Sequence, residues 1–299
     1  MTYSAGSTIL ANDYNSFVSQ VNTSWNSLWG QTALSGVSAG GTVTAAQWST
    51  LAGTITNAYI HISGSNPSVA SPSAGNNIAI ITNLATAATY VQNNGYSCYA
   101  SSFNASIDNV APAKGSANAA WQIVWTQSIN FASSAARSYW FNAGGRVFLT
   151  FTKTSTGTTN DPTWNALAAA CNQISFTSDS SSKTIVGTVY QGTNKQGGSG
   201  VTTVLRTDIG LLQLTGTPVT IFQQFYPTYP YTGSYIAVNA STSGNSVLFQ
   251  TYWYQPASGY AFEAVNISAG SNTTLSFYTP EVTYISNSWG SITLSSSVA

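Results

Sequence analysis

The feature that most restricts this chain is its near-total lack of charge. Seven Lys and Arg and seven Asp and Glu stand among 299 residues. That is 5% charged, against about 25% in an ordinary soluble domain. A solvated surface must then be built from neutral hydroxyls and amides, and the chain supplies 44 Ser, 39 Thr and 25 Asn. Such groups bond water yet cost less to desolvate than ions. A surface made of them can dry out against a neighbour without stranding a charge, and it lacks the self-repulsion that keeps proteins apart. The composition predicts a subunit that works packed into an assembly; the alternative is a free extracellular protein with a Ser- and Thr-rich surface. Hydrophobic residues, at 43%, suffice for a sizeable core and are too many for disorder.

The same arithmetic removes several functions. A net charge of zero leaves no basic cluster to neutralise phosphates, so nucleic acid is not an expected partner. No apolar run reaches the roughly 18 residues of a membrane span, so membrane insertion is not expected. The residues after Met1 have neither the basic nor the apolar part of a signal peptide. All basic residues fall between Lys114 and Arg206, while residues 1–113 carry only Asp13 and Asp108 and residues 207–299 only Asp208, Glu263 and Glu281. This layout reads as two uncharged ends that form interfaces around a wetter middle.

The N-terminal part repeats. Ser-Ala-Gly occurs at 4–6, 38–40 and 73–75, at offsets of 34 and 35 residues. Over the first two copies Tyr14 aligns with Trp48, Phe17 with Leu51 and Val21 with Ile55. Each copy has helical spacing: Leu10, Tyr14, Phe17, Val21, Trp25 and Leu28 share one face; Trp48, Leu51, Ile55, Tyr59 and Ile62 share the next; Ile81, Leu84, Ala88 and Val91 the third. Thr44 and Gln47 have capping-box form, and Gly95 is a stop. The pattern predicts a three-helix bundle built from a 34–35-residue repeat, spanning residues 1–110 as a docking and oligomerisation domain.

Beyond a linker at 111–120 the texture changes to β-branched and aromatic runs broken by Gly, Ser, Thr and Asn. Strands are expected within 121–131, 145–154, 183–191, 217–226, 233–241, 245–255, 273–279 and 289–295, with one helix beginning at Asp161-Pro162 and a flexible loop at 195–200. Many short strands predict an antiparallel β-sandwich over 121–299, giving an α+β chain in two parts.

Catalytic groupings do not assemble in the sequence. The single histidine, His61, falls at a helix end and reads as structural. No Cys or His spacing fits a metal, and no Gly-x-Ser-x-Gly elbow exists. Glu263 and Glu281 lie in strand-like segments with nothing to mark them as a glycosidase pair. Cys98 and Cys171 read as buried free thiols. The expectation is a non-enzymatic protein with no catalytic, cofactor or metal residues.

Aromatic residues are the remaining candidates. Tyr14, Phe17, Trp25 and Trp48 on the helices, and Phe225, Tyr226, Tyr229, Tyr231, Trp253 and Tyr254 in the strand region, are the expected interface residues. Tyr and Trp beside amides would also suit a saccharide, since each ring joins apolar area to a polar tip. The other reading is that these rings fill the β-core.

Two stretches, SAGSTILANDYNSF (4–17) and ARSYWFNAGGRVFLTF (136–151), resemble motifs in structural proteins of tailed bacteriophages, including marine and cyanobacterial phages. In that group a Tyr-Ser-Ala-Gly-x-x-Ile start precedes a helix, and an Ala-Arg-x-Phe/Tyr-Phe-Asn-x-Gly-Gly motif opens a strand. Trp140 stands here where Phe is expected. The resemblance implies a virion structural protein, assembled in the host cytoplasm and sited in the tail, fibre or baseplate. The implied partners are copies of itself, with a trimer suited to a fibre, other virion proteins, and a host-surface glycan as a further candidate. A carbohydrate-binding adhesin or secreted surface protein, and a capsid decoration protein, are the alternatives.

Overall fold

The computed structural model describes residues 11–69, 81–108, 120–155, 157, 161–228, 231–256 and 270–299. The chain begins with α1 (Ala11–Asn22), which runs on as a π-helical turn at Thr23–Leu28, then α2 (Ala45–Ser63) and α3 (Ile81–Asn94). Next come β1 (Ser101–Ile107), β2 (Trp121–Asn130), α4 (Ser134–Asn142), β3 (Arg146–Lys153), α5 (Asp161–Cys171) and β4 (Gln173–Phe176). Short strands follow: β5 (Lys183–Ile185), β6 (Thr188–Tyr190), β7 (Thr193–Gln196) and β8 (Val204–Leu205). The longer β9 (Val219–Phe225), β10 (Tyr235–Ser243), β11 (Ser246–Gln255), β12 (Ser271–Pro280) and β13 (Thr293–Val298) complete the order.

Helices α1, α2 and α3 overlap the three N-terminal segments with helical spacing. Thr44 caps α2 by accepting from the Gln47 N–H, while Gln47 Oε1 accepts from the Thr44 N–H at 2.9 Å. Gly64, at φ 72°, ends the helix in the left-handed region. Tyr14, Phe17 and Val21 of α1, Trp48, Leu51 and Ile55 of α2, and Leu84 and Ala88 of α3 are buried in one shared cluster. All three pairs equated by the 34-residue offset are therefore core positions.

The molecule is mixed α and β, and its sheets are antiparallel. One sheet runs β1-β12-β3-β4-β7, the other β13-β2-β11-β10-β9-β8, and β5-β6 is a separate hairpin. The two larger sheets meet across one core. Phe176 of β4 lies edge-on to Phe249 of β11 at 5.3 Å, and Phe151 of β3 stacks on Phe222 of β9 at 5.8 Å. From α5, Trp164 stacks on Trp253 at 5.5 Å and bonds Gln255 Oε1 through its indole N–H at 3.2 Å.

The strand expectations need four corrections. Residues 101–107, inside the stretch expected to be helical, form β1 at the edge of the five-stranded sheet. The run 183–191 is a hairpin, folded at Val186 and Gly187, which sit at φ 48° and 73°. The last strand starts at Thr293, four residues later than expected. The stretch 195–200 gives its first two residues to β7, and α4, β4 and β8 were not foreseen. The expected linker, but for Ala120, lies outside the described residues.

Helices and sheets are packed into each other. Trp29, Ala58, Ile62 and Val91 belong to the same buried cluster as the sheet interior. Gln31 Nε2 donates to the Ser286 carbonyl at 2.9 Å and Gln31 Oε1 accepts from the Ser286 N–H at 2.8 Å; Ser288 Oγ donates to the Trp29 carbonyl. The segment 285–289, with Ile285 and Trp289 buried, thus clasps the end of the first helical run.

Candidate functional site

Two surfaces stand out. The first is a groove where the C-terminal ends of α2 and α3 meet residues 97–101 and the β5-β6 hairpin. A cavity of about 730 Å³ there is lined by Ile62, Tyr90, Asn94, Ser97, Tyr99 and Val186, among others. This volume falls within the range of about 300–1,000 Å³ usual for ligand pockets. A smaller cavity of about 210 Å³, lined by His61, Tyr99, Glu281 and Tyr284, adjoins it. Tyr99, 58% exposed, lines both. Among the described residues, three of the nine exposed large hydrophobics, Tyr99, Val186 and Tyr284, line these two cavities. A concentration of that kind marks a contact surface; single exposed apolar residues do not.

The second surface is the outer face of the six-stranded sheet. None of its six strands contains Asp, Glu, Lys or Arg. Because side chains alternate along a strand, Trp253 and Phe249 point to the core while Tyr254, Tyr252 and Gln250 point out. Register places Phe225, Tyr235 and Tyr254 side by side across β9, β10 and β11. Their ring centroids lie 5.2 and 5.0 Å apart, and all three rings are half-buried. Burial and the neighbouring Tyr254 and Tyr252 phenols raise the Tyr235 pKa above that of a free phenol. Towards the other end of the face stand Asn239, Gln250, Thr126 and Ser297, then Ser241, Leu248, Ser128 and Ser295.

The expected interface residues divide. Phe225 and Tyr254 meet on this face through Tyr235, which sequence reasoning missed. Tyr226 and Tyr231 pair with each other at 6.3 Å, half-buried. Trp25 is partly buried between the two cores, its indole N–H on the Thr32 carbonyl at 3.1 Å. Tyr14, Phe17, Trp48 and Trp253 are corrected: they are at most 2% exposed and hold this chain's own cores, so they have no surface to offer a partner. Tyr229 lies outside the described residues, as does Glu263.

The buried titratable groups have structural partners. His61 is flanked by Trp29 at 4.9 Å and bonds the Ala143 carbonyl, and burial pushes its pKa down to about 4. Burial raises both thiols, Cys98 and Cys171, to about 12. Lys183 is paired with Asp179. Arg146 is buried with its guanidinium 5.2–5.6 Å from the rings of Phe148, Tyr190 and Tyr278, so cation–π contact replaces a carboxylate. Among the described residues no three His, Cys, Asp or Glu side chains come close enough to hold a metal, and no helix is long and apolar enough to cross a membrane.

Comparison with protein-family models, with curated proteins and with solved structures finds no match to this chain.

Proposed function

We propose that this chain is a non-enzymatic structural subunit of a tailed-bacteriophage particle, sited in its tail, fibre or baseplate. It joins sister copies and other virion proteins through uncharged surfaces. The observation that carries this reading is the exposed pair Tyr99 and Val186 lining one groove, with exposed Tyr284 in the cavity beside it. An apolar patch with hydroxyl and amide neighbours has the make-up of a protein–protein interface, aromatic at the centre and polar at the rim. In this reading the three N-terminal helices descend from one repeated unit and sit on a β-sandwich body. A capsid decoration protein would use the same surfaces elsewhere on the particle.

The motif resemblance at 136–151 is consistent with the chemistry of that stretch. Arg137 Nη1 donates to the carbonyls of Gly244 and Ser246 at 2.8 and 3.1 Å, tying α4 to the β10-β11 turn. Gly144, at φ 103°, lets the chain turn into β3.

Sedimentation velocity of the purified chain at low and high NaCl tests the proposal. The expected result is an oligomer that persists at high salt, since few charges are available to screen, and that Val186→Asp dissociates. A wild-type monomer at every concentration, or turnover of a metabolite by the purified chain, overturns it. Labelling of purified particles with an antibody to the chain then locates it, and particles without it also refute the reading.

A further inference from the structure

We propose that Arg146, on the outer face of the five-stranded sheet, anchors a carboxylate-binding site whose ligand is a singly charged acid with an apolar body. This surface is not the groove, and the proposal holds or fails independently of the virion reading.

The sheet brings the groups together. Val147, Leu149 and Phe151 of β3 enter the sandwich core, so alternation puts Arg146 and Phe148 on the opposite face. Register sets Tyr278 of β12 beside Arg146, and Phe103 of β1 beside Tyr278. Tyr190 joins the same cluster from the β5-β6 hairpin. The rings form a row from Phe103 through Tyr278 and Phe148 to Tyr190, with successive centroids 5.7, 5.3 and 6.5 Å apart. One end of the row, Phe103, is exposed, and the other, Tyr190, is buried.

Arg146 is the anomaly in this row. It is 7% exposed, yet among the described residues no carboxylate pairs with it. Its Nε and Nη1 are buried and meet no acceptor. The rings of Tyr278, Tyr190 and Phe148, at 5.2, 5.5 and 5.6 Å, ease the charge but accept nothing from the N–H groups at the guanidinium edge. A lysine can discharge in such surroundings, whereas a guanidinium does not. Buried donors are satisfied as a rule. Water would answer the donors and leave the charge; an anion answers both.

The class of anion follows from the charges present. The buried Lys183 is already paired with Asp179. One guanidinium then balances one negative charge, and the second charge of a phosphate would be stranded. A carboxylate is planar and fits the guanidinium fork. The exposed ring of Phe103, edge-on to Tyr278, offers apolar area to the rest of the ligand. The chain has one rival of its own, Glu281. It is exposed, lines the smaller cavity, and raises the Cys98 pKa where Arg146 lowers it.

Saturation-transfer difference NMR on the intact chain tests this with sodium benzoate as probe, benzamide as its neutral analogue and inorganic phosphate as competitor. The expected result is saturable benzoate binding, none for benzamide, and no displacement by equimolar phosphate. Arg146→Met should raise the benzoate Kd about tenfold or more. Phe103→Ala, at an exposed position, should weaken benzoate with an unchanged melting temperature, and it keeps the test open if Arg146→Met does not fold. Displacement of benzoate by a capped Phe-Glu-Phe peptide, and not by its Gln analogue, makes the source a partner's side chain; displacement by small acids alone makes it a free acid, and either result upholds the site. Absence of saturable benzoate binding, equal binding of benzamide, displacement by phosphate, or a Kd unchanged in both variants overturns the proposal. So does a double-mutant cycle of Glu281→Gln with Arg146→Met on urea unfolding that shows the two side chains coupled, because the site is then filled from within.

Discussion

His61 Nε2 lies 3.0 Å from the carbonyl oxygen of Ala143, which fastens the last turn of α2 to the turn that opens β3. The ring donates this bond in its neutral form, and burial holds its pKa near 4, against an ordinary value of 6.5. Between those values the unfolded chain binds a proton that the folded chain does not. Stability therefore rises with pH across this window and is lost as pH falls from 6.5 to 4, by up to about 3 kcal/mol. Urea melts at pH 7 and pH 4.5 should differ by most of that amount, and His61→Gln should flatten the difference.

Gly144 sits at φ 103° with the Cβ of Cys98 only 2.3 Å from where its own Cβ would be. Gly144→Ala meets both backbone strain and overpacking, each worth about 1–3 kcal/mol. Gly53, on the exposed side of α2, has nothing within 4 Å. Gly53→Ala should stabilise by about 0.5–1 kcal/mol through helix propensity alone. Denaturant midpoints of the two variants should move in opposite directions.

Cys98 and Cys171 are buried and their thiols are held near 12. A thiol reacts as thiolate. A disulfide reagent at pH 8 should find no reactive group in the native protein and two per chain in denaturant. Fast labelling of the native chain would contradict the burial of both.

The Lys183–Asp179 pair is the buried ionic contact of the β5 region, with Lys183 only 3% exposed. Asp179→Asn strands a buried ammonium and should cost about 3–5 kcal/mol. The double variant Asp179→Asn with Lys183→Met should recover much of this loss. A double-mutant cycle on thermal or urea unfolding measures the coupling.

Local pattern reveals part of this molecule. Helical spacing and the Thr44–Gln47 cap are sequence-local signals, and α2 forms where they point. Strands with strict alternation, such as β11, are equally readable, because each residue's face follows from its parity. β1 is not: its Ser-rich sequence has no strong strand preference, and its partner β12 comes far later in the chain. Pairing, not propensity, sets it. α4 was hidden because its aromatic stretch runs straight into β3; its signal was Ser133, whose Oγ accepts from the Ala136 N–H at 3.0 Å. For the candidate surfaces, alternation within 250–254 was the cue that Trp253 and Tyr254 part company. Tyr235 stands alone in its segment, and register alone joins it to Phe225. The groove unites Tyr99, Val186 and Tyr284 from three distant stretches, so no local pattern could announce it.

The clasp between Gln31 and Ser286 spans 255 positions of chain. A polypeptide emerging from the ribosome can coil its first helices early, but Trp29 and Gln31 gain their contacts with Ser288 and Ser286 only after residues 285–289 have been synthesised. β2 likewise waits for both β11 and β13. Closures over such separations are entropically late events and slow ones. The nascent protein must therefore carry incomplete, uncharged and sticky surfaces through most of its translation.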